Sequence, residues 1–374
     1  MSSILITRRT LLAGGTAAAL LPSCSAKTGV ESASLPATLT WEKLPTAPFR
    51  GKQDDIAFGS SLRGWYGNGE GLVFRTDDAG DSWQQVWAQP GTFVRALGFF
   101  DAETGILGNV GVGSFPNVKD RTPLYRTSDG GKTWAPVTQI DGPVPEGICA
   151  IEISRSMIID RGHPSSRNIV HAAGRVGGPA HYLRSTDGGV SWKSWDLSAL
   201  TAAIYDVKFL NQKTGFIAGS SDADLRIAVG LILRTDDGGN SWRVVYRSAR
   251  AVEAVWKLHF PSKSVGYGSV QSYDPTPTNT QRYVAKTVDG GATWTEVPLV
   301  NDAKWRSFAI GFANEQVGWV GGNLGGLETR DGGATWRPVE MGKAVNKIRF
   351  VDAGNSRRAY AIGSEVHRLV LPPI

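Results

Sequence analysis

Cysteine, charge and helical periodicity are scarce in this sequence, and each scarcity excludes a class of protein. Its two cysteines, Cys24 and Cys149, allow at most one disulfide, so the chain is not a disulfide-stapled scaffold. Charged residues make up 20%, too few for a disordered or coiled-coil chain, and they form no Lys/Arg runs of the kind that bind nucleic acid. Apolar residues nowhere keep helical spacing for about ten positions, which disfavours helical repeats.

Sequence motifs of several catalytic classes are also missing. The chain has no Gly-x-Ser-x-Gly elbow, no phosphate-binding loop and no dinucleotide fingerprint. Its histidines lack the paired spacing of a zinc site; they are His163, His171, His181, His259 and His367. The sequence therefore predicts neither a metal nor a cofactor.

The first 24 residues have the order of an export signal. Arg8 and Arg9 precede the uncharged apolar stretch 10–21, and 21–24 reads Leu-Pro-Ser-Cys. About a dozen apolar residues are too few to span a membrane. The paired arginines resemble a Tat signal, and the last four residues resemble a lipobox whose Cys24 is acylated. The alternative is a Sec signal cleaved near Ala26.

Export sets expectations for the rest of the chain. We predict removal of 1–24, a flexible tether over 25–38 and a periplasmic, lipid-anchored protein. Ser25 after the lipobox resembles lipoproteins sorted to the outer membrane of a Gram-negative host. Acylation of Cys24 would leave Cys149 unpaired, and we expect it to be a buried apolar thiol.

Glycine and tryptophan are abundant, at 46 and 13 residues, and many of them lie in a repeated box. The box reads Ser/Thr-x-Asp-x-Gly-x-Ser/Thr-Trp and occurs six times, about 51 residues apart, which is the spacing of one repeated structural unit. Its aspartates are Asp78, Asp129, Asp187, Asp237, Asp289 and Asp331. Asp accepts backbone hydrogen bonds in a turn and Gly adopts positive φ, so the box is predicted to form a tight turn. It lacks the several carboxylates of a calcium loop.

Each unit contains four short strand-like segments, which predicts an all-β fold, a β-propeller of four-stranded antiparallel blades. Three further segments follow the last box, at 347–350, 358–363 and 366–370. Residues 40–44 resemble the segment after each box, so we predict that they supply the missing fourth strand. The result is a seven-bladed propeller over 39–374, closed by its N-terminal strand.

The six boxes and the closing segment resemble the Asp-box (BNR) repeat proteins, and most closely the seven-bladed photosystem II stability and assembly factor-like family. That resemblance implies a propeller that binds protein subunits during assembly of a membrane complex. Sialidases, sortilin-type receptors and two-propeller xyloglucanases carry the box too, so it indicates the fold more strongly than the activity.

We expect partner binding where the innermost strands begin, at the channel mouth. The predicted residues there are Asp55, Arg95, Tyr205, Asp206, Trp256, Lys257, Arg306 and Lys347, with Asp54 and Asn346 beside them. Cations together with Tyr and Trp suit an acidic peptide or anionic group. The alternative is that these charges are solvated strand ends.

The rival function is a glycan-processing enzyme, a glycoside hydrolase. It would use two of the carboxyls of Asp55, Glu152 and Asp206. A sialidase needs Phe-Arg-Ile/Leu-Pro, whereas Phe49-Arg50 is followed here by Gly51-Lys52. The sequence therefore favours a monomeric, lipid-anchored binding protein over an enzyme. Insertions at 159–179 and 272–281 are specificity loops or linkers.

Overall fold

The computed structural model describes residues 35–160, 163–274, 276 and 279–372, and among these the side chains of all but 155–160 and 163–167. The predicted signal sequence, with Cys24, lies outside the described residues. Every regular element in the described part of the chain is a β-strand. That part of the chain offers no long apolar helix able to cross a membrane.

The strands form seven sheets, the blades of a β-propeller. The first strand, β1 (Glu42–Lys43), joins the last blade. Blade 1 contains β2 (Gln53–Phe58), β3 (Gly64–Asn68), β4 (Leu72–Thr76) and β5 (Gln84–Ala88). Blade 2 contains β6 (Val94–Phe99), β7 (Gly105–Asn109), β8 (Leu124–Thr127) and β9 (Ala135–Pro136). Blade 3 contains β10 (Gln139–Asp141), β11 (Ala150–Asp160), β12 (His163–Gly174), β13 (His181–Ser185) and β14 (Ser191–Asp196).

The remaining four blades repeat the pattern of blade 1. Blade 4 contains β15 (Ala203–Phe209), β16 (Gly215–Ser220), β17 (Gly230–Thr235) and β18 (Arg243–Arg247). Blade 5 contains β19 (Glu253–His259), β20 (Gly266–Ser272), β21 (Gln281–Thr287) and β22 (Thr295–Asn301). Blade 6 contains β23 (Ser307–Phe312), β24 (Gly318–Gly322), β25 (Gly326–Thr329) and β26 (Arg337–Val339). Blade 7 contains β27 (Lys347–Asp352), β28 (Arg357–Ile362) and β29 (Val366–Leu371), together with β1.

One strand of each blade faces the centre of the propeller. These innermost strands are β2, β6, β11, β15, β19, β23 and β27, and each contacts the next in a closed circle. The later strands of each blade follow outward in order. Residues on the central face of the innermost strands therefore line one channel.

The propeller is closed by its N-terminal strand, as predicted. β1 pairs antiparallel with β29, with Glu42 opposite Arg368 and Lys43 opposite His367. The amide of Leu44 donates to the carbonyl of Val366 at 2.9 Å. This pairing covers the edge of β29, which would otherwise be a free sheet edge. The predicted seven-bladed, all-β fold is confirmed.

Blade 3 departs from the simple four-stranded pattern. Its four antiparallel strands are joined by β10, which pairs in parallel with β14, so this sheet has five strands. β11 and β12 pair over their whole length, but β13 covers β12 only from Val170 to Gly174. The predicted insertion at 159–179 is thus in large part the end of a long hairpin, with 161–162 outside the described residues.

The repeated boxes form the turns between the third and fourth strands of their blades. In blade 4, the carboxylate of Asp237 accepts hydrogen bonds from the backbone N–H groups of Asn240 and Ser241 and from the hydroxyls of Thr235 and Ser241, at 2.6–3.0 Å. Gly239 has a φ of +91°, and a Cβ there would lie 2.4 Å from the ring of Tyr182. Only glycine fits this approach.

Tryptophans of the boxes pack where neighbouring blades meet. The Trp242 ring lies 5.1 Å from Tyr182 in blade 3 and 6.1 Å from Phe209 in blade 4, edge to face in both cases. Such aromatic contacts bury large apolar areas and fix one blade against the next. The box therefore combines a turn with an inter-blade anchor.

Candidate functional site: the central channel

The innermost strands carry charged and apolar residues in alternation. In β27, Lys347 and Arg349 share one face while Ile348 and Phe350 share the other. Successive side chains of a strand point to opposite faces of the sheet. The apolar face packs between blades, and the charged face lines the channel.

Irregular pairing brings adjacent residues to the channel together. In blade 1 the β2–β3 register shifts between Gln53 and Asp55, and equivalent shifts occur in blades 2, 4, 5 and 6. A bulge places two residues opposite one and redirects their side chains. Asp54 and Asp55 are both buried as a result, and each makes its own ion pairs with channel cations.

The channel end at which the innermost strands begin is here called the strand-start mouth. It is defined by Lys52, Asp54, Arg95, Tyr205, Trp256, Tyr273, Arg306 and Phe308. Trp256 stacks on Tyr205 at 4.3 Å, and its indole N–H donates to the Tyr273 hydroxyl at 3.1 Å. Trp256 also meets Phe308 edge to face at 6.3 Å. Four aromatic side chains thus form one continuous surface.

Cations lie against these rings. Arg95 lies over Trp256 at 5.7 Å, Arg306 over Tyr273 at 5.4 Å and Lys52 over Phe308 at 5.3 Å. Arg95 also donates to Asp54 at 2.6 Å. Among the described residues, the Arg306 side chain has no carboxylate partner, and it is half-buried. This mouth has three cations against one carboxylate.

A strained backbone holds Tyr273 at the mouth. Val252 has a φ of +66°, a left-handed conformation that β-branched residues rarely adopt. Its carbonyl accepts the backbone N–H of Tyr273 at 2.7 Å. Backbone strain of this kind persists only where the surrounding structure over-determines the conformation.

Deeper in the channel, the charges neutralise one another. Lys347 lies 2.5 Å from Asp55, and Lys257 lies 3.8 Å from Asp206. These four side chains are at most 8% exposed. Burial lowers the pKa of Lys347 to about 7, although Asp55 opposes that shift. Burial alone would raise the pKa of Asp55, but Lys347 and Arg349 hold it below its usual value.

The far half of the channel widens into a cavity of about 640 Å³, here called the strand-end cavity. Its walls come from the innermost strands and the segments that follow them, and within these walls Lys208 and Arg349 approach Glu152 at 2.6 and 3.9 Å. Half-buried phenylalanines surround it at the strand ends. They are Phe58, Phe209, Phe260 and Phe350.

The predicted binding residues all reach the channel, but they divide into two layers. Arg95, Tyr205, Trp256 and Arg306 belong to the strand-start mouth. The other four, Asp55, Asp206, Lys257 and Lys347, lie deeper as buried ion pairs. That they bind a partner stays a prediction.

Sequence reasoning missed several channel residues. Arg349 and Lys208 each lie two positions after a residue that was singled out, so strand alternation was a usable signal. Phe308 lies four residues before the phenylalanine that ends β23, as Trp256 lies four residues before the one that follows β19, so alignment of the innermost strands was a usable signal for it as well. Lys52 precedes β2 and Tyr273 follows β20, so their place at the mouth depends on chain outside the strands.

The carboxyls considered for glycoside hydrolysis are all ion-paired. Asp55 pairs with Lys347, Glu152 with Lys208, and Asp206 with Lys257. Burial would raise the pKa of Asp206, yet Lys257 and Lys208 hold it below its usual value. A glycosidase acid needs a raised pKa so that it can donate a proton. The pKa values of Asp55 and Asp206 are lowered instead.

Cys149 and His171 are packed in the interior of the propeller. Cys149 is 1% exposed in an apolar cluster, as predicted, and its sulfur accepts the N–H of Val176. His171 stacks on Phe209 at 3.6 Å and shares a hydrogen bond with the Tyr182 hydroxyl. Within the described ranges no cluster of three potential metal ligands occurs.

Comparisons with known proteins identify relatives of the chain. No protein-family model matches it. It is 28% identical over 218 residues to the photosystem II assembly lipoprotein Ycf48 of Synechococcus sp. (strain CC9902). This chain is similar to Ycf48. The alignment covers 47% of this chain and 62% of that protein, so it spans about three fifths of the relative's length.

Solved YCF48 structures share the fold. YCF48 from Cyanidioschyzon merolae is 16% identical with a TM-score of 0.60, covering 89% of this chain and 98% of that one. YCF48 bound to D1 peptide is 14% identical with a TM-score of 0.57, covering 91% and 100%. Together with the Ycf48 alignment, these structures confirm the resemblance to the photosystem II assembly factor family expected from the sequence.

Proposed function

We propose that this chain is a protein-binding propeller that assists the assembly or stability of a membrane complex, and that the strand-start mouth receives a segment of its partner. The similarity to Ycf48 is the observation that carries the proposal. Ycf48 is named as a photosystem II assembly lipoprotein, and a solved YCF48 structure holds a D1 peptide.

The chemistry of the mouth supports a polypeptide partner. Tyr and Trp provide rigid contact area with one polar edge, which is typical of protein interfaces. The Arg306 guanidinium, free of a carboxylate partner in the described chain, is available to an acidic side chain. A segment that carries an apolar residue next to a carboxylate matches both features.

The proposal includes export and a lipid anchor. The paired Arg8 and Arg9, the apolar stretch and the lipobox ending at Cys24 support it from the sequence. An anchor at Cys24 and a tether over 25–38 would keep the propeller close to membrane subunits and raise their effective concentration. A periplasmic location and a monomeric state are part of the same proposal.

Purification from the host membrane tests the proposal and identifies the complex. The full chain is captured by a C-terminal tag, and co-purifying proteins are identified by mass spectrometry. We expect a stoichiometric subunit of one membrane complex. The Cys24→Ala variant should lose membrane association and much of this capture. Recovery of no membrane subunit above an untagged control would refute the proposal.

Arg306→Glu tests the mouth itself. Because Arg306 is half-buried and has no ion pair in the described chain, its reversal should leave the fold intact and weaken partner capture at least about tenfold, or about 1.4 kcal/mol. Arg247→Glu is the matched control, since Arg247 is exposed on the outermost strand of blade 4. Equal loss of partner capture in both variants, or no loss in either, would contradict the proposal that the mouth receives the partner. Arg95 and Lys257 suit this test less, because both are buried in ion pairs.

A further inference from the structure

The strand-end cavity is separate from the strand-start mouth. Its lining contains none of Arg95, Tyr205, Trp256 and Arg306. Its volume of about 640 Å³ lies within the range of sites that hold small molecules. The binding function proposed above leaves this cavity unused.

The cavity is lined by more cations than carboxylates. Four cationic side chains face three carboxylates, two in the wall and Asp55 directly behind Lys347, which leaves one positive charge. The cations are Lys208, Lys257, Lys347 and Arg349, and the wall carboxylates are Glu152 and Asp206. His259 adds no charge, because burial lowers its pKa to about 3. Arg357 and Asp352 form an ion pair at the rim, so their charges cancel each other.

Several hydrogen-bond donors in the wall have fewer acceptors than they have N–H groups. The Lys347 ammonium has three N–H groups, and among the described residues only Asp55 lies close enough to accept one. Arg349 donates from Nε to the carbonyl of Ile56 at 3.2 Å. Its terminal nitrogens lie 3.7 Å from Asp55 and 3.9 Å from Glu152, which is longer than a hydrogen bond. The Arg349 side chain is 22% exposed, so its terminal nitrogens are open to a ligand in the cavity, and an oxyanion there would accept charge-assisted hydrogen bonds from them.

Phenylalanines line the cavity beside the charged wall. They are Phe58, Phe209, Phe260 and Phe350, and all four are partly buried. Phe58 stacks on Tyr360 at 4.3 Å and Phe209 on His171 at 3.6 Å, so packing between blades fixes these rings beside the cavity. A ligand that fits both parts carries an anionic group at one end and an apolar body at the other.

We propose that the strand-end cavity binds a carboxylate or similar oxyanion attached to an apolar group, with Arg349 and Lys347 as its principal donors. The ligand is either a free small organic anion or the C-terminal carboxylate of a polypeptide that ends in an apolar residue. Both present the same chemistry to the wall.

Binding should weaken as the pH rises. The groups that face Lys347 are Asp55 on β2, Asp206 on β15, Lys257 on β19 and Arg349 on β27, with Glu152 on β11 beyond Arg349. Lys347 titrates close to neutrality within this cluster. A bound anion favours its protonated form, so binding takes up a proton and loses affinity above about pH 7.

Titration calorimetry of the purified chain with 3-phenylpropionate tests the proposal. We expect binding at pH 6 that weakens at least about tenfold with the uncharged 3-phenylpropanamide and in the Arg349→Gln variant. Arg349→Lys should retain part of the affinity, and the exposed Arg247→Gln should bind like the unaltered chain. Equal binding of acid and amide, unchanged binding in Arg349→Gln, or no binding of the acid would each overturn the proposal. If Arg349→Gln lowers the thermal midpoint, Lys208→Gln is used in its place. We expect Lys208→Gln to weaken binding in the same way, and unchanged binding in that variant would overturn the proposal.

A second pair of probes distinguishes the two sources. A short peptide ending in Phe with a free carboxylate is compared with its C-terminal amide. Tighter binding of the free peptide than of 3-phenylpropionate supports a polypeptide terminus, whereas the reverse order supports a small anion. Because Arg306 lies outside this cavity, Arg306→Glu should leave both titrations unchanged, so failure of the partner proposal and failure of this one are separate results.

Discussion

At the scale of single residues, blade 4 contains two neighbouring carboxylates with different roles. Asp237 accepts four hydrogen bonds within its own turn. Asp236, beside it, makes surface ion pairs with Arg234 at 2.7 Å and Arg243 at 2.5 Å. Exposed ion pairs contribute little to stability because water and salt screen them. Hydrogen bonds to an ionised acceptor in a fixed turn contribute more.

Replacing each carboxylate separates these contributions. We expect Asp237→Ala to lower the free energy of unfolding by about 2 kcal/mol, since it removes all four acceptor contacts. Asp236→Ala should cost at most about 1 kcal/mol. Urea unfolding followed by tryptophan fluorescence measures both. Equal costs for the two substitutions would show that the turn hydrogen bonds add nothing beyond surface electrostatics.

The candidate site shows where residue patterns stop being informative. Their position at the start of the innermost strands predicted that Asp206 and Lys347 face the channel, and they do. Their burial as ion pairs, rather than their exposure at a mouth, could not be predicted, because it depends on register shifts between strands and on which blades lie opposite. No local pattern in the sequence encodes either.

At the scale of elements, the ring closes through a strand of two residues. β1 contributes few hydrogen bonds, but the residues that flank it are deeply buried: Trp41 is 5% exposed and Leu44 is 2% exposed. The Trp41 ring meets Trp319 of blade 6 edge to face at 5.5 Å. The closure is thus held by side-chain packing more than by backbone pairing.

Trp41→Ala tests this account of the closure. Deleting a buried indole removes apolar contact area and leaves a cavity, so we expect a loss of about 3–5 kcal/mol in the free energy of unfolding. Glu42→Ala removes only a partly exposed ion pair with Arg368 and should cost under about 1 kcal/mol. Chemical unfolding of both variants, monitored by circular dichroism, gives the comparison. A loss below about 1 kcal/mol for Trp41→Ala would mean that the backbone pairing carries the closure.

Most elements were predictable because the boxes mark one turn in each of six units, and the positions of the four strands follow from that turn. The residue pattern of 40–44 matched the strand after each box, which predicted the closure. β10 was not predicted, because a parallel pairing between Gln139 and Ser191 joins distant segments without any local turn signal. The long β11–β12 hairpin was expected only as an insertion, since its length follows from pairing across strands.

At the scale of the whole molecule, stability should respond to acid in two separate pH ranges. Burial lowers the pKa of His171 to about 3, against 6.5 in the unfolded chain. The unfolded state therefore binds a proton that the folded state excludes as the pH falls below 6.5. The stability present above that value decreases by about 1.4 kcal/mol per pH unit down to about pH 3.

The second pH range belongs to the box carboxylates. Hydrogen bonds from Ser82 and Thr76 lower the pKa of Asp78 to about 2, and those from Ser241 do the same for Asp237. The pKa values of the other four box aspartates are lowered as well. A depressed folded pKa means that the contribution is complete above the unfolded value of 3.8 and is lost as the pH falls towards 2.

Urea unfolding between about pH 7 and pH 2 resolves the two ranges. His171→Asn keeps a polar group near the Tyr182 hydroxyl but cannot titrate, so it should reduce the dependence between pH 6.5 and 4 to the part that His259 contributes, while costing some stability at every pH. Asp237→Asn should leave that upper range unchanged and reduce the dependence below pH 3.8. His171 shares a hydrogen bond with the Tyr182 hydroxyl, which also donates to the carbonyl of Gly238 beside Asp237 at 3.5 Å, so the double variant measures the coupling of the two groups through Tyr182. A His171→Asn curve parallel to that of the unaltered chain above pH 4 would show that His171 is not held neutral in the folded propeller.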